Sequence, residues 1–218
     1  MQSVTDAGRR APRRDATENR AALLTAAAAA LSETPDASLE TIAAAAGLTR
    51  RALYGHFSNR DALVLALIDS GAERLNAIAA TTDHAHTPSA IALLGARLWT
   101  AVEHVRLLAG MAVREPYAPH VADALEPVRA RIRELVERGV ADGTVRRDIR
   151  PATLARLVEE SAIAVLLEAA TTSMSDADGR RLVQLAVLST VGLSWRDAGA
   201  LIDATPELAG PVAPEAGR

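Results

Sequence analysis

The sequence predicts an all-α protein in which a three-helix N-terminal domain is joined by a long helix to a larger helical domain. Three observations carry that expectation. Apolar residues make up 49% of the chain and aromatic residues only 2%, so the core must be built mainly from Leu, Val, Ile and Ala. Such a core suits closely spaced helices better than a sheet rich in aromatic side chains. Apolar positions recur at helical spacing along most of the 218 residues, with no strand pattern and no internal repeat. Between them, Ser, Thr, Asp, Gly and Pro fall where helices start and stop.

The elements follow in order. Residues 1–14 read as a flexible basic arm carrying Arg13 and Arg14. Asp15 and Glu18 form a capping box that opens a helix to about Ser32, with Leu23, Leu24, Ala27, Ala28 and Leu31 on its apolar side. Thr34-Pro35-Asp36 ends it. Ser38 caps a short helix containing Leu39, Ile42, Ala43 and Ala46, which Gly47 terminates. Thr49 caps a third, from Arg50 to about Phe57, and Ser58 or Asn59 caps a long fourth helix ending near residues 81–88. Further helices are expected from about Ser89 to Arg114, around His120–Leu125, over Val128–Val140, from Pro151 to about Thr171, and from Arg180 to about Trp195. The domains are therefore placed at 15–60 and 61–205, with a frayed tail over 206–218.

Composition limits the classes of function. Without cysteine there is no disulfide framework and no thiolate chemistry, which fits a cytoplasmic protein. No secretory signal is visible, and the most apolar late stretch, Leu182–Leu193, is too short to span a bilayer. The net charge of −3 is unevenly spread. Residues 1–60 hold eight Arg against six Asp and Glu, whereas the remainder holds sixteen against twenty-one. A basic head on an acidic body permits contact with nucleic acid at one end.

Residues 38–57 have the layout of a helix-turn-helix: two short helices, a tight Gly-containing turn, and small residues where they cross. In the second helix Leu53 and Phe57 face a core. Thr49, Arg50 and Arg51 stand at its start, where a recognition helix meets base edges, and arginine can donate two hydrogen bonds to guanine. Tyr54 and His56 carry polar tips suited to phosphate oxygens.

The run Thr49-Arg50-Arg51-Ala52-Leu53-Tyr54-Gly55-His56-Phe57-Ser58-Asn59-Arg60, preceded by Ile42-Ala43-Ala44-Ala45-Ala46-Gly47-Leu48, resembles the TetR family of bacterial transcriptional regulators. The likeness covers about residues 15–75; beyond that it is one of architecture. It implies double-stranded operator DNA as partner, with phosphate contacts from Tyr54, His56, Arg60 and Thr41; Arg13 and Arg14 on the arm are placed to reach an adjacent groove, as basic arms do elsewhere. The family usually has Lys where Arg60 stands; this chain has no lysine, and arginine keeps the charge. The resemblance further implies a homodimer formed through the last long helices, here through Leu182, Leu185, Leu188 and Val191. It also implies repression relieved by a small-molecule effector.

In the larger domain Trp99, His104 and Met111 are the candidate effector contacts, being polar or polarisable groups on a mostly apolar helix. Asp83-His84-Ala85-His86 reads as a solvated loop, because an i, i+2 pair shares no helical face, so no metal is assigned. No Ser/His/Asp, HExxH or phosphate-loop arrangement supports catalysis, so no catalytic residue and no cofactor are assigned. An enzyme on a helical bundle and a ligand-binding adaptor that has lost its DNA contacts are the rival readings.

Overall fold

Side-chain caps start three of the four N-terminal helices, at the residues the sequence offers for the purpose. Ser38 Oγ accepts the Thr41 N–H at 3.1 Å, Thr49 Oγ1 the Ala52 N–H at 3.2 Å, and Asn59 Oδ1 the Ala62 N–H at 2.8 Å. Each satisfies an amide that has no partner within its own helix. The computed structural model describes residues 11–34 and 37–210, apart from the side chains of 11–19 and of 104. The chain divides into two compact units, Met1–Asp69 and Ser70–Arg218, and no strand occurs among the described residues.

The first unit holds α1 (Ala11–Glu33), α2 (Leu39–Ala45), α3 (Arg50–His56) and the opening turns of α4 (Arg60–Thr81). Helix α1 begins four residues earlier than the expected capping box, so residues 11–14 are helical and not part of an arm. Pro12 permits this because a first-turn proline lacks only an N–H that has no helical acceptor. Leu23, Ala27 and Leu31 of α1 are buried, as are Ile42 and Ala43 of α2, Leu53 and Phe57 at α3, and Leu63, Val64 and Leu67 of α4.

In the second unit, after the remainder of α4, come α5 (Thr87–Val102), a 3-10 turn (Glu103–Val105), α6 (Arg106–Ala112), α7 (Ala118–Ala124) and α8 (Glu126–Asp142). Then follow α9 (Pro151–Thr171), α10 (Asp176–Thr190), α11 (Trp195–Ala204) and α12 (Pro206–Ala209). Helix α5 is buried on nearly every side. Its Ile91 and Leu94 join the main core with α8, α9 and α10, while Ala92 and Leu93 join a second core with Leu188, Ala198, Ile202 and Leu208.

Three expected elements differ. The helix expected to reach Arg114 breaks at residues 103–105. No Gly or Pro marks the break; tertiary contacts flank it, with Trp99 Nε1 donating to the Asp176 carbonyl at 3.1 Å and Arg106 to the Met174 carbonyl at 3.2 Å. The helix expected to reach Trp195 stops at Thr190, because Gly192 takes φ +111° and the Leu193 N–H turns back to the Leu188 carbonyl at 3.1 Å. Ser194 then caps α11, accepting the Asp197 N–H at 3.2 Å. Residues 206–209, expected to fray, form α12 with Leu208 buried, and Arg180 and Gln184 both donate to the Leu208 carbonyl.

Guanidinium groups tie the loops of the second unit down. Arg131 and Arg138 of α8 both reach the Asp83 carboxylate, at 3.0 and 2.9 Å, and donate to the Thr82 and His84 carbonyls. Desolvation raises the Asp83 carboxyl pKa, but these hydrogen bonds and charges outweigh it and hold it below its usual value. Arg146 donates two hydrogen bonds to Asp148, at 2.8 and 2.6 Å, which lower that carboxyl from 3.8 to about 2. His84 Nδ1 accepts the His86 N–H at 3.0 Å, and His86 Nδ1 lies 3.0 Å from Ser89 Oγ, so the loop read as solvated is braced by its own side chains.

Candidate nucleic-acid interface

The turn between α2 and α3 decides where α3 points. Gly47 takes φ +68°, which L side chains adopt at a cost, and the Leu48 N–H returns to the Ala43 carbonyl at 2.9 Å while the Gly47 N–H returns to Ala44 at 3.0 Å. That double closure is a Schellman motif, and Thr49 starts α3 two residues later. Leu53 and Phe57 then anchor one side of α3 in the unit's interior. The Arg20 guanidinium of α1 sits 5.3 Å from the centre of the Phe57 ring, a cation–π contact within the unit.

The other side of α3 carries the candidate contacts. Thr49, Arg50 and Arg51 are exposed at its start, and Tyr54 is 43% exposed one turn on. Arg50 is already engaged: it pairs with Glu40 of α2 at 3.1 Å and lies 5.4 Å from the Tyr54 ring centre. The Thr49 oxygen accepts the Ala52 N–H, which leaves its O–H proton available to donate. His56 is half-buried beside Phe57, and Arg60 is the first residue of α4. Thr41 is exposed with Oγ1 2.9 Å from Ser38 Oγ, where either hydroxyl can donate. The backbone of Arg13 and Arg14 lies in α1; their side chains lie outside the described residues. Sequence reasoning missed Glu40, whose pairing with Arg50 crosses between two helices and follows no local spacing rule.

Residues 23–67 match the family described as bacterial regulatory proteins, tetR family. The N-terminal unit is thus similar to the N-terminal region of TetR-family regulators. No curated protein matches the sequence. Among solved structures, one described as RolR in complex with resorcinol shares 18% identity over 88% of this chain and 97% of its own, with TM-score 0.62. The fatty acid degradation regulator FadR from Bacillus halodurans shares 15% over 79% and 97%, with TM-score 0.68. FadR from Bacillus subtilis in complex with stearoyl-CoA shares 12% over 79% and 97%, with TM-score 0.66. At these identities the likeness is one of fold.

The candidate effector contacts Trp99 and Met111 lie in the second unit. Trp99 is 3% exposed with its indole laid over Gly179, where any Cβ would collide with the ring, and its N–H is used by Asp176. Met111 is half-buried on α6, and the His104 side chain lies outside the described residues. Neither Trp99 nor Met111 lines the cavity of about 30 Å³ between α5, α8, α9 and α10.

The candidate dimer residues divide likewise. Leu182 is 38% exposed and Leu185 half-buried, whereas Leu188 and Val191 are wholly buried in their own unit. Leu188 packs with Leu93 and Ile202, and Val191 belongs to the main core, so neither presents a side chain to a partner. The physical reason is helical phase: Leu182 faces outward, Leu185 is half-buried against the cluster that holds Leu188, and 188 and 191 fall on the inner side.

Proposed function

We propose that this chain is a TetR-family regulator that binds a near-palindromic operator as a homodimer, represses from it, and is released by a small-molecule effector. The observation that carries the reading is α3: one side is anchored by Leu53 and Phe57, and the other exposes Arg50, Arg51 and Tyr54 at the N-terminal end that a recognition helix offers to DNA. A two-fold dimer would set two such helices about 34 Å apart, or a modest multiple of that, on one face of the duplex.

In this scheme Arg51 and Thr49 read bases, and Arg50 joins them once its pair with Glu40 opens. Tyr54, His56, Arg60 and Thr41 hold phosphates, with Arg13 and Arg14 adding to them. The dimer surface draws on Leu182 and Leu185 of α10 and on Leu157, which is 37% exposed on the adjoining α9. The effector binds among the helices of the second unit and acts through its differential affinity for two conformations, worth about 1–3 kcal/mol of coupling. The solved relatives bound to resorcinol and to stearoyl-CoA support a ligand-responsive body.

Selection from random duplex DNA with the purified protein, followed by a salt titration on the enriched sequence, tests the reading. A two-fold palindrome bound with steep salt dependence is expected. Weak binding only at low salt, with no enrichment, overturns it in favour of an adaptor. On the selected site Arg51→Ala is expected to relax discrimination at one position in each half-site, by about 1–3 kcal/mol.

A further inference from the structure

We infer that Gly55 sets part of the sequence specificity of this chain by letting a thymine methyl group pack directly on the backbone of α3, an inference resting on the operator-binding regulator proposed above. Helical phase places the residue. Leu53 and Phe57, the buried anchors of α3 and its C-cap, each lie two residues from Gly55. At 3.6 residues per turn it stands about 200° from both, at the middle of the exposed side. Tyr54 and His56 fall about 100° to either side of it, and Arg51 sits one turn back, within about 40° of the same line. With Tyr54 and His56 turned to the two phosphate walls of a major groove, Arg51 and Gly55 face its floor.

Nothing in the free protein calls for glycine there. Gly47 needs its left-handed φ of +68°, and Gly179 has the Trp99 indole where a Cβ would lie. Gly55 has no positive φ, and a Cβ built on it would meet no part of the chain within 4 Å, its own helix backbone and immediate neighbours aside. The Arg51 side chain one turn back therefore leaves the spot uncovered. Alanine would fit, and would strengthen a helix of only seven residues, because glycine loses more backbone freedom on folding. What glycine forfeits in stability is not regained inside the unit. Close approach of another molecule to the backbone is the use that remains.

The surface that Gly55 presents decides what it can take. Its N–H is spent within α3 and its carbonyl points along the helix axis, so only hydrogens on Cα face outward. Such a surface can neither donate a hydrogen bond to guanine or adenine nor accept one from cytosine. Of the groups that base edges display in the major groove, the thymine methyl alone asks for apolar contact. Four residues of helix rise about 6 Å, which places that methyl within about two base pairs of the base read by Arg51. A Cβ at residue 55 would occupy the space the methyl needs.

The experiment uses the full chain and the operator enriched from random DNA. Wild type and Gly55→Ala are titrated by fluorescence anisotropy on that operator and on a random duplex. They are also titrated on operators in which each thymine in turn is replaced by deoxyuridine, which lacks only the methyl. Gly55→Ala is expected to unfold at a higher temperature, to bind random duplex within about twofold of wild type, and to bind the operator about tenfold more weakly. For wild type, deoxyuridine at one position in each half-site should cost about fourfold. At that same position it should return affinity to Gly55→Ala. Operator binding by Gly55→Ala as tight as that of wild type overturns the inference, as does a loss shared equally with random duplex or one that no deoxyuridine relieves. A lower unfolding temperature would give the glycine a structural reason and overturns it too. A wild-type chain that selects no operator defeats the regulator reading and the inference with it, whereas a selected operator indifferent to Gly55→Ala defeats the inference alone.

Discussion

The two units hold their polar groups together in different ways. In the N-terminal unit the hydrogen bonds that shape the helices are local: Ser38 to Thr41, Asn59 to Ala62, and Leu48 back to Ala43 are each closed within five residues. In the second unit the equivalent work is done across the chain. Arg131 and Arg138 reach back to the loop at residues 82–84, Trp99 reaches forward to Asp176, and Arg180 and Gln184 reach forward to Leu208. Local closure makes a shape that a short sequence can specify by itself. Distant closure makes one that exists only when the whole unit has assembled.

The largest expected effect breaks the second unit at its inner wall. Leu188→Asp places a charge between Leu93 and Ile202 and is expected to remove about 4 kcal/mol or more, seen as loss of the thermal unfolding transition by circular dichroism. Leu182→Asp, on the same helix but 38% exposed, should keep its helicity and instead move the sedimenting mass toward monomer. If both variants fold alike, the division of α10 into inner and outer faces is wrong. Next comes Gly179→Ala, whose Cβ has no room beside the Trp99 indole. It is expected to cost about 2–3 kcal/mol by urea denaturation, because core overpacking is relieved only by moving the ring or the helix.

The same test applied to the N-terminal unit should give a smaller number. Thr49→Ala removes a single cap and is expected to cost about 1 kcal/mol, with weaker operator binding as the start of α3 loosens. The smallest stability change belongs to Glu40→Gln. Its pair with Arg50 joins two exposed side chains, so stability should stay within about 0.5 kcal/mol. Operator affinity should rise, since Arg50 would no longer leave a carboxylate to meet DNA; unchanged affinity would remove Arg50 from the contact set.

This contrast also explains what could be read in advance. The segment Gly47-Leu48-Thr49 announces a left-handed stop followed by a cap, and the start of α3 was legible from it together with Leu53 and Phe57. Gly192-Leu193-Ser194 carries the same message, with Gly192 at φ +111° and Ser194 capping α11. There it was overridden by the apolar run 182–193, which looked continuous because it is buried against two cores. The 3-10 break at residues 103–105 left no such mark, because Trp99 and Arg106 impose it from partners some seventy residues away. Helical period alone marked Leu182, Leu185, Leu188 and Val191 as apolar but not which of them faces outward. That depends on where α5 and α11 lie. The exposed residues of α3 were legible for the same reason that its cap was, whereas the Glu40 pairing was not.

The small helix α12 sets a schedule for the chain. Leu208 closes the cluster formed by Ala92, Leu93, Leu188, Ala198 and Ile202, and its carbonyl is the acceptor for both Arg180 and Gln184. Until residues 206–209 have left the ribosome, that cluster lies open to water. The N-terminal unit, closed by local bonds, has all its parts once its sixty-ninth residue has emerged. A nascent chain can therefore carry a finished head while its body waits for its last turn of helix, and exposed Leu188 and Leu93 make that waiting state the one a chaperone would have to guard.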